Sequence, residues 1–285
     1  MTNGSGSMVS RRRLGIELRR LRENAGLSME EAGNRLDDLS QPKVSRLERG
    51  RVQRPRIGDV RALLELYGVT GTDAEALLEL ARGSRGKGWW NSYADLLPEW
   101  FHGYVGLEAD AAEVSNFEPQ LVPGLLQTEA YARAVIRTSP GMTDDEVERK
   151  VTVRTNRQEL LHREQPPKVW AIVDEAALRR PFGGNGVMRL QLDHLADVAS
   201  EPNVVIQVLP FDAGAHPAVT GGFIVLGFPG TENIDVAYLD AHGGLFLDEP
   251  PDVAWYRELF DHLRARAADP DRTRELIGKV AKELT

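Results

Sequence analysis

Positive and negative charge are unevenly shared along this chain, and that division limits its architecture more than any single motif. Residues 1–68 hold 14 Lys and Arg against 9 Asp and Glu, while the whole chain of 285 residues has a formal net charge of −8. The beginning is therefore +5 and the remainder −13. Six basic side chains and one acidic one lie within SQPKVSRLERGRVQRPR, residues 40–56. Lys and Arg that neutralise phosphates supply most non-specific nucleic-acid affinity, so a basic head joined to an acidic body predicts two domains facing different partners.

The chain is 41% hydrophobic and 27% charged, enough to bury sizeable cores, and it reads as folded rather than disordered. Cys is absent, which removes disulfides, thiolate catalysis and Cys-ligated metal sites together. No apolar run approaches the ~20 residues of a spanning helix, and no signal peptide opens the chain, so a cytoplasmic, nucleoid-associated protein with no membrane contact is expected. The opening MTNGSGSM, within residues 1–9, reads as a flexible leader or tag remnant.

Leu14, Leu18 and Leu21 recur at helical spacing among Arg11, Arg12, Arg13, Arg19, Arg20 and Arg22, predicting a helix from about Ser10 to Asn24 that Gly26 ends. Ser28 and Glu31 have the spacing of a capping box at the start of a second helix reaching about Leu36. Asp37, Asp38 and Leu39 form a turn, and Ser40 is placed to cap a third helix to about Arg49, stopped by Gly50. Val44 and Leu47 face inward on that helix, leaving Gln41, Lys43, Ser45, Arg46 and Arg49 outward. Gln and Arg are the side chains that read adenine and guanine edges with paired hydrogen bonds, so the pattern fits a helix-turn-helix unit.

LGIELRRLRENAGLS, KVSRLERG and PRIGDVRALLELYGV resemble the Xre (Cro/repressor-like) helix-turn-helix domain over residues 10–82, with two further helices near 57–67 and 73–82. The resemblance implies that the start of the third helix enters the major groove. On that basis Gln41, Lys43 and Arg46 meet base edges, Ser40, Ser45, Arg49 and Arg51 meet phosphates, and Arg54 and Arg56 add weaker phosphate contacts. The turn from Leu36 to Ser40 is one residue longer than the family pattern.

After a basic linker at 83–88, WWNSYADLLPEWFHGY places aromatics at 89, 93, 100 and 104 roughly along one helical side, suggesting a buried junction or dimer surface within a body spanning 89–285. Helices are expected around 125–135, 143–164, 187–200, 251–268 and 271–284. Strands are expected at 168–175, 203–210, 222–228, 234–240 and 244–248, the first two as a parallel β-α-β pair. The fold class is thus multidomain: an all-α head of about five helices, then an α/β, mixed-sheet carboxy-terminal domain. FEPQLVPGLLQTEAYARAVI, RTNRQELL, DEAALRRPFGG, VLPFDAGAHPAVTGGF and YLD resemble the domain of unknown function carried by many actinomycete Xre-family regulators of the WhiJ-like type. That resemblance implies transcriptional regulation, often beside a small partner protein encoded next door.

The body offers Asp174, Glu175, Arg179, His194, His216, Asp240 and His242 as polar candidates, with Asp174, Glu175, Arg179, His216 and Asp240 taken as the effector or partner set. No HExxH, P-loop or GxSxG string occurs, and GGNG at 183–186 falls short of GxGxxG. No catalytic set, cofactor or metal site is expected. The reading is a DNA-binding regulator that binds double-stranded DNA as a homodimer, its body dimerising or holding a small-molecule effector or small neighbouring protein. The alternatives are an antitoxin-like protein that binds that neighbour and autoregulates, and a nuclease- or phosphodiesterase-like enzyme with a DNA-targeting head.

Overall fold

The computed structural model describes residues 7–36, 39–52, 54–83, 88–228, 234–240 and 244–284. Asp37 and Asp38 of the turn, most of the linker, and His242 lie outside the described residues. The chain divides into two compact units, residues 1–91 and 92–285, so Trp89 and Trp90 fall in the first.

The head has five helices: α1 (Ser7–Asn24), α2 (Met29–Asn34), α3 (Gln41–Glu48), α4 (Ile57–Leu66) and α5 (Gly71–Gly83). Helix α1 takes in Ser7 to Val9, which the leucine spacing alone left in the leader. Leu14, Leu18, Val44, Leu47, Val60, Leu63 and Leu78 form one core, as their spacing requires. The capping box of α2 forms as expected: Ser28 Oγ accepts the Glu31 N–H at 3.1 Å, and Glu31 Oε2 accepts the Ser28 N–H at 2.8 Å. Helix α3 ends with Gly50 at φ +64°, where the Gly50 N–H reaches Leu47 O and the Arg51 N–H reaches Arg46 O, a left-handed stop suited to Gly.

The body begins with a 3₁₀ turn at Tyr93 and α6 (Glu99–Asp110), followed by β1 (Glu113–Glu118), α7 (Glu129–Ile136), α8 (Asp144–Gln158) and β2 (Lys168–Asp174). Then come α9 (Glu175–Arg179), α10 (Asn185–Val198), β3 (Val204–Leu209), β4 (Phe223–Gly227), β5 (Val236–Leu239), β6 (Leu245–Leu247), α11 (Pro250–Arg266) and α12 (Pro270–Glu283). The expected single helical side of aromatics is not formed, because Trp89–Tyr93 is a 3₁₀ turn and α6 starts only after Pro98, which occupies its N-cap. Leu125 and Leu126 likewise sit in a 3₁₀ turn ahead of α7, since Thr128 caps that helix by accepting the Tyr131 N–H.

The six strands form one mixed sheet in the order β3-β2-β1-β4-β5-β6. β1, β2 and β3 run parallel, as the expected β-α-β unit requires, and β4, β5 and β6 continue antiparallel. Strand β1, which sequence reading did not find, sits between the two halves. One sheet face, with Phe117, Ile172, Val225 and Ala237, packs under α11 through Val253, Leu259, Phe260 and Leu263. Alternation along β1 then turns Asn116 and Glu118 to the other face. The β3 edge is closed by the turn after α11 and the first turn of α12: the Ala268 N–H reaches Val208 O at 2.8 Å, and Thr273 Oγ1 accepts the Val208 N–H at 3.1 Å.

Candidate functional site

In the head, α3 lies against α1 and α2 at two glycine contacts. An added Cβ at Gly15 would stand 2.4 Å from Glu48 O, and one at Gly33 would stand 2.6 Å from the Gln41 backbone N. Both are backbone atoms, so the contacts admit only Gly and set how α3 leaves the turn. Beneath α3, Arg22 and Glu48 form a buried pair, with Nε to Oε1 at 2.7 Å and Nη2 to Oε2 at 3.0 Å, while Arg22 Nη1 donates to Leu27 O at 2.7 Å. Glu48 holds the Arg22 guanidinium in its charged form, against the cost of burial. The acidic residue of the basic stretch therefore braces the core rather than facing outward.

With Val44 and Leu47 buried, the opposite side of α3 presents Gln41, Arg46 and Arg49 to solvent, and Ser45 is half-buried. Arg51, Arg54 and Arg56 continue the exposed cationic surface. Among the described residues, none of Arg46, Arg49, Arg51, Arg54 and Arg56 has a carboxylate at ion-pair distance. Lys43 differs, because its Nζ pairs with Asp59 Oδ2 at 2.8 Å and ties α3 to α4. Ser40 occupies the N-cap of α3 without a side-chain capping bond, correcting that expectation. Pro42 has no N–H to offer and the Lys43 N–H is taken by Ser40 O at 2.8 Å, so the hydroxyl stays at the surface.

In the body, the face of β1 away from α11 opens onto a cavity of about 350 Å³ lined by residues of α6, β1, the 119–127 segment, α8, the start of β4 and the end of β5. Tyr238 rests on Tyr104 with centroids 4.4 Å apart and on Trp100 at 6.4 Å. The Arg157 guanidinium lies over Phe101 and Tyr104, and its Nε and Nη2 each donate to Glu108 at 2.7 Å. Tyr104 donates its hydroxyl to Glu108 as well, and burial holds that phenol well above its ordinary range. One turn earlier on α8, Arg154 gives Nη1 to Gln127 Oε1 at 2.6 Å. Burial first, and then the like charge of Arg157, pull its pKa down to about 10. Across the cavity the Glu118 carboxyl is pushed up to about 8, by burial first and by the Asp240 charge second, with Arg154 opposing.

That raised value makes a pH-dependent prediction. The folded state holds the Glu118 proton more tightly than the unfolded state, whose pKa is near 4.5, so stability falls as pH rises from about 4.5 to about 8. Glu118→Gln removes that slope. Thermal melts of the two proteins are expected to diverge between pH 5 and pH 8, the Gln variant gaining at the upper end; parallel curves would count against the buried carboxyl.

The family described as a domain of unknown function, DUF5753, matches residues 101–279, more than half of the chain. The chain belongs to the DUF5753 family. A helix-turn-helix domain matches residues 13–77, so a helix-turn-helix head precedes a DUF5753 body, the arrangement that the resemblances implied. No match is found among curated proteins or among solved structures.

Of the polar candidates among the described residues of the DUF5753 body, only Asp240 lines the cavity. Asp174 caps α9 by accepting the Ala176 N–H at 2.8 Å, and Glu175 accepts the Phe211 N–H at 3.0 Å and an Arg179 bond at 2.7 Å. Arg179 reaches on to Glu283 at 2.6 Å, so this trio ties α9 to the end of β3 and to α12. His216 meets the Phe117 ring edge-on at 5.7 Å, and His194 is half-buried on α10 with its pKa lowered by that burial. Among the described residues no three His, Asp or Glu side chains converge as a metal site would require. Among the described residues no helix is long and apolar enough to cross a membrane. Sequence reading missed Glu108, Asn116, Glu118, Arg154 and Arg157. A signal existed for Arg154: it follows Val147 and Val151 at i+7 and i+3, continuing their inward stripe.

Proposed function

We propose that the chain is a sequence-specific, non-enzymatic transcriptional regulator of the Xre (Cro/repressor-like) kind, cytoplasmic and nucleoid-associated, with α3 lying in the major groove. What carries the reading is the group of exposed arginines on and just after α3, without a carboxylate at ion-pair distance among the described residues, above a rigid frame of Gly15, Gly33 and the Arg22–Glu48 pair. Gln41 and Arg46 are the base-reading residues, joined by Lys43 once it exchanges Asp59 for DNA. Ser40, Ser45, Arg49, Arg51, Arg54 and Arg56 hold phosphates. Heads of this size bury too little surface for strong specific affinity alone, so the regulator acts as a homodimer on half-sites about 34 Å apart. The body contributes dimerisation or takes up an effector or a small protein partner, which shifts DNA affinity by linkage.

The test is a salt titration of binding to the chain's own promoter DNA. Arg46→Ala is expected to cost about 1–3 kcal/mol on the preferred sequence and to relax preference at one base position. Arg49→Ala should weaken all sequences alike and make the salt slope shallower by about one. Absence of affinity at low salt would sink the proposal.

A further inference from the structure

We infer that the cavity beside β1 binds a small zwitterion, a free amino acid being the simplest, with its carboxylate on Arg154 and its ammonium between Glu118 and Asp240. The reasoning starts from a contrast within one helix. Arg157 is closed by Glu108 through two bonds of 2.7 Å, the arrangement a purely structural buried arginine needs. Arg154, one turn away, has the neutral amide of Gln127 as its partner and no carboxylate at ion-pair distance among the described residues. Glu118 lines the same cavity, yet its carboxyl and the Arg154 guanidinium do not pair with each other. A fold that needed only stability would join them. Kept apart along one cavity, they present a cation at one place and carboxyl oxygens at another.

Two further atoms point the same way. Asn116 Oδ1 and the Tyr238 hydroxyl line this wall buried and without a hydrogen-bond partner, where buried polar atoms are ordinarily satisfied. A simple anion would answer Arg154 and leave the Glu118 and Asp240 side unmatched, and a simple amine would do the reverse. A molecule carrying both groups answers each. The apolar part of the wall, with Val122, Leu125 and Ile224, leaves room for an aliphatic side chain, and about 350 Å³ suits one small molecule rather than a peptide. This deepens the regulatory reading and rests on it only for the effect on DNA; the binding itself stands apart.

The experiment is calorimetry and thermal shift of the full chain against the twenty proteinogenic L-amino acids. For the best binder, the deaminated acid and the decarboxylated amine are then compared. One or a few aliphatic amino acids should bind saturably, with each half-molecule weaker by about tenfold or more, as the loss of a charged hydrogen-bonded contact requires. Arg154→Gln should weaken binding by at least about tenfold. Asp240→Asn should do the same, and Asp240 is exposed, so that variant reports the site without disturbing the fold. No heat with any amino acid, a half-molecule equal to its parent, or indifference to both substitutions would overturn the assignment. Promoter binding is then measured with and without the bound amino acid. Unchanged DNA affinity beside intact ligand binding would remove the regulatory link alone, and no DNA affinity at all would remove the regulator reading while the ligand site stands.

Discussion

Glu48→Ala is expected to unfold the head at ordinary assay temperature. The substitution leaves the buried Arg22 guanidinium with Leu27 O and a longer, 3.5 Å contact to the exposed Glu23 carboxylate, and breaking one side of a buried ion pair costs about 3–5 kcal/mol. A domain of this size has about 5 kcal/mol of stability, and each kcal/mol lost moves Tm by about 4–8 °C. Circular dichroism melts and hydrogen exchange of α1 and α3 amides would report the loss, and promoter binding should vanish with it. The double variant Arg22→Met with Glu48→Leu separates folding from recognition. It removes both charges together and is expected to recover most of the stability, and with it DNA binding, because neither side chain is on the exposed side of α3. A stable single variant, or a stable double variant that no longer binds DNA, would show that Glu48 has been given the wrong role.

Arg157→Ala is the second large effect. It strips Glu108, 1% exposed, of both guanidinium bonds and leaves the Tyr104 hydroxyl as its remaining donor. A loss of about 3–5 kcal/mol is again expected, now in the body, along with the stacked guanidinium over Phe101 and Tyr104. Hydrogen exchange of α6, α8 and β5 amides is the measurement. Protection equal to that of the unsubstituted chain would mean that water reaches Glu108 and that the pair is worth little.

The head was nearly all legible because its signals are local. Ser28 and Glu31, Gly26 and Gly50, and the leucine spacing of α1 act within a few residues, and each did what its neighbours allow. Even the Ser40 miss is local, since Pro42 next to it supplies no N–H. The body was legible where one element carries its own pattern, as in β2, α10 and β3. Strand β1 was not, because EVSNFE shows no apolar alternation strong enough to read, and its burial comes from the strands on both sides. The charged cluster hid for a related reason. In DDEVERKVTVRTNRQ, charge suggests a solvated helix; the Val147–Val151 stripe points to Arg154, but that Arg157 turns inward is set by Glu108 on α6, a tertiary partner.

The place of β1 also governs the order in which the chain matures on the ribosome. Its neighbour on one side, β2, arrives within about fifty residues, but Phe117 waits for Phe223, roughly a hundred positions further on. Until then the middle strand of the finished sheet is an open edge, with unpaired N–H and C=O groups exposed to other nascent chains. The helical head, whose core closes within residues 14–81, is synthesised in full long before. Newly made protein thus passes through a period in which the module for DNA is complete while the sheet is still half assembled. Slow translation between residues 118 and 223 would lengthen that exposure.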